Sequence, residues 1–228
     1  MNASHLTSSG KSLPGKFITL EGGEGVGKST QLQAIQAQLQ AAGMTVVVTR
    51  EPGGTPRAER IRELLLQRDA EAMPETCELL LMFAARATHL HNVILPALQR
   101  GDWVLCDRFT DASYAYQGYG RGLSLTQIAT LEQWVQQGVS PDLTVLLDAP
   151  VEQAMQRARQ RNQQQAQADD RFETEQLAFF ERVRQGYLER AAAEPQRFRV
   201  IDAGQPLDIV TAQVQVCMQG FISENSRV

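Results

Sequence analysis

The chain has 228 residues, 43% of them hydrophobic and 21% charged, with a formal net charge of −4. Those values fit one soluble α/β domain with a small mobile insert. They exclude a global basic field of the kind that gathers nucleic acid, and no stretch approaches the roughly 20 apolar residues of a membrane span. Three cysteines, Cys77, Cys106 and Cys217, form no C-x-x-C pair, so neither a disulfide framework nor a zinc site is suggested, and a reduced, cytoplasmic setting fits.

Residues 1–15 are polar and lack the apolar stretch of a signal peptide, so they read as a disordered tail. Phe17-Ile18-Thr19-Leu20 is an apolar run ending in glycines, a buried strand. Residues 29–42 carry Leu32, Ile35 and Leu39 at helical spacing, with Gly43 as a stop. A second strand spans 44–49. Strand, helix and strand in so short a length make a βαβ unit and imply a parallel sheet.

The alternation continues. Helices are predicted over 58–67 and 75–100, the latter with Pro96 as a point of interruption or restart. A third strand follows at 103–106, a helix at 125–137 and a fourth strand at 143–147. Helices at 151–161 and 173–193, a strand at 199–201 and a last helix from Leu207 complete the chain. Residues 16–228 are therefore expected to form a doubly wound five-stranded parallel sheet with helices on both faces. The polar segment 162–170, NQQQAQADD, follows an arginine-rich helix end and reads as part of a mobile lid over about 157–173, the alternative being a solvated loop.

The glycine-rich turn is the densest motif. Gly22-Gly23-Glu24-Gly25-Val26-Gly27-Lys28-Ser29 matches G-x-x-x-x-G-K-[ST], after a strand and opening a helix. Small residues let the backbone wrap phosphate oxygens while N–H groups and the helix N-terminus face the anion. Lys28 adds charge near the β/γ-phosphates, and the Ser29 hydroxyl can ligate Mg²⁺. ATP and Mg²⁺ are thus the expected cofactors.

Three further motifs speak for a second substrate. Thr49 to Thr55, TREPGGT, follows the second strand, and Asp107-Arg108 ends the third, so both reach the edge where ligands bind in such sheets. Arg108 offers planar, bidentate contact to a phosphate. Phe83 and Arg86 lie three apart on one helix face. A P-loop switch of the GTPase kind would carry D-x-x-G after a strand, whereas the fourth strand here ends Leu147-Asp148-Ala149-Pro150.

With these residues together the chain resembles the thymidylate kinases of the bacterial type. The likeness rests on the P-loop with Glu24, TREPGGT at 49–55, FAAR at 83–86, DRF at 107–109, YQGYGRG at 116–122, PDLTVLLD at 141–148, RARQR at 157–161 and DDRFE at 169–173. It implies phosphoryl transfer from ATP to thymidine monophosphate in dTTP synthesis. The alternatives are a kinase for another nucleoside monophosphate and a non-kinase nucleotide switch. Lys28 would hold ATP phosphates within the cradle from Gly22 to Thr30, and Arg108 the acceptor phosphate. Glu24 would lie near the sugar 3′-hydroxyl and the metal. Arg86 would donate to thymine O4. Ser113 and Gln117 would line the base edge, and Tyr116 would pack under the deoxyribose. Glu51 and Pro52 would contact the substrate, and Arg157 and Arg161 would bring lid charge to the transferring group. Relatives often place a stacking Phe four residues before the Arg; here Met82 holds that position, and Phe83 is taken as the ring under thymine. The resemblance also implies a homodimer packed through helices.

Overall fold

A computed structural model describes residues 13–67, 71–165, 171–172 and 175–225. Five parallel strands, β1 (Phe17–Glu21), β2 (Val46–Arg50), β3 (Trp103–Asp107), β4 (Leu143–Asp148) and β5 (Phe198–Asp202), stand in the order β2-β3-β1-β4-β5. The expected sheet is therefore the one observed. β1 lies at the centre and is buried throughout. Its side chains alternate: Ile18 and Leu20 join Leu105, Val145 and Leu147 on one face, while Phe17 joins Val104, Cys106 and Phe109 on the other. The first face is covered by α1 (Lys28–Ala41) and α9 (Leu207–Asn225), which pack on each other. On the opposite side Leu146 meets Phe179, Phe180, Val183 and Tyr187 of α8 (Leu177–Ala193).

Strand register gathers the loops at one place. Leu20 and Arg50 both pair with Asp107, so the carboxyl ends of β1, β2 and β3 finish side by side. Each then feeds a loop on one edge of the sheet.

The helices differ from expectation in instructive places. α2 (Pro56–Leu66) starts two residues early because Thr55 caps it, its side chain accepting from the Ala58 N–H, and proline is at home in a first turn. Residues 75–100 are helical without a break: α3 (Glu75–His89) widens into a π-helical stretch, Leu90–Ile94, before α4 (Leu95–Arg100). Pro96 is the second residue of α4 and follows directly on that widened turn, the kind of local adjustment by which a helix accommodates proline. A four-residue helix α5 (Thr110–Ser113) and a second π-helical stretch, Tyr114–Gly120, were not foreseen. That stretch contains two glycines, and packing on α8 accounts for it. A Cβ on Gly120 would stand 2.6 Å from the Phe179 ring.

α6 (Leu125–Gln136) follows, and α7 (Val151–Gln165) extends four residues past its expected end. The polar loop expected at 162–170 thus begins as helix, and residues 166–170 and 173 of the expected lid lie outside the described residues. α8 begins at Leu177 rather than 173. Of the expected tail, residues 1–12 lie outside the described residues. Gly15 is buried and donates its N–H to Leu98 O at 2.9 Å, so the fold begins before residue 16.

Candidate active site

Two cavities adjoin at the carboxyl edge of the sheet. The first has the P-loop as its floor. It is lined by Gly25, Gly27, Lys28, Ser29 and Thr30, by Asp107 and Arg108 from the end of β3, and by Arg161 of α7. The loop is built from left-handed turns; at Gly25 (φ +73°) a Cβ would lie 1.8 Å from Ala154 O, so only glycine fits against α7. Lys28 turns inward and donates to Gly23 O at 2.7 Å and Gly22 O at 3.2 Å. Burial, with the positive charge of Arg108 beside it, holds the Lys28 pKa below its usual value.

The second cavity opens beside the first. Glu51, Pro52, Met82, Arg86, Ser113, Tyr116, Gln117 and Phe172 line it. Glu24, Glu51, Arg62 and Arg108 line both cavities.

Arg108 is the hinge between them. It adopts φ +67°, a left-handed conformation costing about 1–3 kcal/mol in a non-glycine residue. Its guanidinium donates to Glu24 and to Gly22 O, reaches the Tyr187 hydroxyl at 3.3 Å, and lies 5.1 Å from the Tyr116 ring centroid. Burial alone would raise the Glu24 pKa, but Arg108, Lys28 and Arg161 together hold it down to about 2. Beneath Arg108, Glu21 is fully buried and accepts from the Phe109 N–H at 2.7 Å and the Tyr187 hydroxyl at 2.8 Å. Burial above all, then the charge of Asp111, pushes its carboxyl up to about 7.

Arg86 is buried on α3. It donates Nε to Glu51 at 2.7 Å and Nη2 to Phe109 O and Ser113 Oγ at 3.1 and 3.0 Å. Its Nη1, also buried, has no hydrogen-bond partner among the described residues. A donor so placed on the wall of a cavity suits a ligand oxygen. Glu51 is itself fixed from behind by His89 Nδ1 at 2.9 Å, and His89 Nε2 meets Thr49 Oγ1 at 2.6 Å.

The ring expected under a base requires correction. Phe83 packs in the core with Leu79, Tyr114 and Ile128 and does not line the cavity; it supports Arg86, whose guanidinium carbon is 4.6 Å from its ring centroid. Met82 lines the cavity instead. Residues 78, 82 and 86 recur every four positions and share a helix face, and Phe83 is one step off it. Arg157 is also placed otherwise than expected. It donates to Ala203 O at 2.7 Å and Gly204 O at 3.4 Å, beyond β5, and lines neither cavity, while Arg161, one turn on, reaches the P-loop.

Arg62 and Phe172, to which no motif assigns a role, line the second cavity as well. Arg62 was findable: it lies four residues after Ala58 and three before Leu65, the two buried positions of α2, so a charge falls on an inward stripe. Phe172 stands within DDRFE, but nothing in its spacing announces that its ring meets Tyr116 edge-on, with centroids 6.0 Å apart.

The orphaned groups also test for a metal. Asp107 Oδ1 is buried without a hydrogen-bond partner among the described residues, and it shares the P-loop cavity with the Ser29 hydroxyl. No cluster of three or more His, Cys, Asp or Glu occurs among the described residues. One carboxylate and one hydroxyl fit Mg²⁺, a cation that takes few protein ligands and completes its shell with phosphates and water.

A P-loop pocket sharing Arg108 with a second pocket, at the carboxyl edge of a 2-3-1-4-5 parallel sheet, defines a P-loop nucleotide kinase. A family model described as thymidylate kinase matches residues 20–214. Thymidylate kinase of Chromohalobacter salexigens is 61% identical over 202 residues, covering 88% of this chain and 93% of its own length. That of Methylococcus capsulatus is 58% identical, covering 92% and 98%. The crystal structure of thymidylate kinase from Ehrlichia chaffeensis superposes with a TM-score of 0.70 at 33% identity, covering 90% of this chain and 98% of that one. The chain belongs to the thymidylate kinase family.

Proposed function

We infer that the chain transfers the γ-phosphoryl group of ATP to thymidine monophosphate, giving thymidine diphosphate and ADP for dTTP synthesis. The meeting of the two cavities at Arg108 carries this reading. A donor on the P-loop and an acceptor phosphate on Arg108 would lie end to end there. The acceptor is already an anion, so no strong general base is needed. The obstacle is repulsion between two polyanions, and positioned cations offset it.

In this reading Lys28 leaves the loop carbonyls for donor phosphates, whose negative charge favours its protonated form. Arg108 exchanges Glu24 for the acceptor phosphate, and its fork takes two oxygens at once. Glu24, released from Arg108, faces the sugar 3′-hydroxyl. Arg161 supplies charge to the transferring group from the lid side. Ser29 and Asp107 would hold Mg²⁺, which neutralises phosphate charge when bound. The unpartnered Nη1 supports Arg86 as the donor to thymine O4. Ser113 and Gln117 follow the base edge, Met82 and Phe172 give it apolar walls, and Tyr116 lies under the deoxyribose. Glu51 and Pro52 close the rim.

The domain, expected over 16–228 and extended at its start to include Gly15, then acts as one kinase unit, with a lid over about 157–173. Among the described residues no helix is long and apolar enough to cross a membrane. A cytoplasmic setting is supported by Cys77, Cys106 and Cys217, which are all free thiols. A homodimer is supported by α2, α3 and α6: α3 packs on the other two, and they expose Leu64, Leu80, Leu125 and Trp134.

A coupled ADP-release assay across nucleoside monophosphates tests the reaction. Thymidine monophosphate should give the highest kcat/KM. Faster turnover of another monophosphate, or equal ATP hydrolysis without an acceptor, overturns the reading.

A further inference from the structure

Glu78 is fully buried on α3 and lies behind the cavity rather than in it. Its Oε1 accepts from Gln117 Nε2 at 2.7 Å, and its Oε2 pairs with Arg171 at 2.5 Å and Arg121 at 3.3 Å. Gln117 is itself buried and, like Arg86, lines the cavity. An ion-paired carboxylate only accepts hydrogen bonds, so the end of the Gln117 amide that faces it must be the nitrogen. The amide oxygen is then the acceptor Gln117 has left for the cavity.

We propose that Glu78 is a positioning residue that sets base choice: by fixing the Gln117 amide, it makes the site select pyrimidines that carry an N3–H. The inference rests on the pyrimidine cavity proposed above. Thymine and uracil present a carbonyl at C4 and a proton on N3, which match the Arg86 donor and the Gln117 acceptor. Cytosine presents an amino group at C4 and a lone pair at N3, so it meets a donor with a donor and an acceptor with an acceptor. Such mismatches leave buried polar groups unpaired and discriminate strongly. Arg171 and Arg121 hold Glu78 from the other side. Arg171 also donates Nε to Leu65 O at 3.0 Å, so the seat of the carboxylate is built from α2, α3 and the segment leading into α8.

The test is Glu78→Gln. An amide at 78 can offer either end to Gln117, which is then free to flip. The ratio of kcat/KM for thymidine monophosphate over deoxycytidine monophosphate should fall by about tenfold or more. The change should lie mostly in the nucleotide KM. The ratio for thymidine over deoxyuridine monophosphate should hold, because both bases carry the N3–H, and the KM for ATP should hold too. In a Gln117→Met background the same substitution should leave the cytosine ratio where Gln117→Met alone puts it. Should Glu78→Gln fail to fold, Glu78→Asp keeps the charge toward both arginines, withdraws the acceptor from Gln117, and should lower the same ratio. A folded variant with an unchanged cytosine ratio overturns the proposal. Equal loss for every acceptor does so as well, since it would make Glu78 a support for the chain around Arg171 alone. Failure of the wild type to use thymidine monophosphate would instead fault the parent reading.

Discussion

Glu21 gives a residue-scale prediction whose sign comes from its surroundings. An ordinary glutamate ionises near 4.5, while the folded protein keeps a proton on Glu21 up to about 7. Between those values the folded state binds a proton that the unfolded chain has released, so stability falls as pH rises through the window. Glu24 works in the opposite sense and elsewhere: its contribution is present above about 4.5 and is lost as pH falls toward about 2. Glu21→Gln keeps an acceptor for the Phe109 N–H but removes the titration. The wild-type Tm should therefore drop by a few degrees relative to the variant between about pH 5 and about pH 7.5. Melting curves that run parallel across that range would show that Glu21 does not hold the proton. Single residues were legible in the sequence where a motif demanded them, as with Lys28, Arg108 and Arg86. Phe83 and Met82 were not separable by type, since both are large and apolar; a shift of one position on α3 decides which faces the cavity.

At the scale of elements, α7 separates two arginines that its sequence treats alike. Arg157 and Arg161 share a face by spacing, yet the first is held by the carbonyls of Ala203 and Gly204 while the second reaches the P-loop cavity. Arg161→Ala should therefore lower kcat by more than about tenfold with a smaller change in the KM for thymidine monophosphate, as expected for charge that acts in the transition state. Arg157→Ala should lower kcat by less. Equal losses, or near-normal turnover of Arg161→Ala, would remove α7 from the chemistry. Strands and amphipathic helices were readable from periodicity. The turn after β3 was not, because Tyr114–Gly120 mixes aromatic residues with glycines and owes its form to α8, some 60 residues away.

For the molecule as a whole, the parallel sheet was legible from the alternation of strands and helices. The strand order was not, since a βαβ pattern fixes handedness and direction but leaves open on which side each new strand adds. The homodimer reading has its test at this scale. Replacing Trp134 and Leu80, 75% and 52% exposed, by glutamate should turn a two-chain species in sedimentation into a one-chain species with an unchanged circular dichroism spectrum. A wild type that sediments as one chain would end it. The observed order also bears on how the protein is made. β1, which precedes the other four strands in the chain, is the central one, and its neighbours β3 and β4 begin only at Trp103 and Leu143. At about 5–20 residues per second, roughly 4–16 s pass before even β3 starts to appear. The P-loop is therefore synthesised early and assembled late, and a nascent chain carries an apolar, unpaired strand through that interval, when chaperones would find it most exposed.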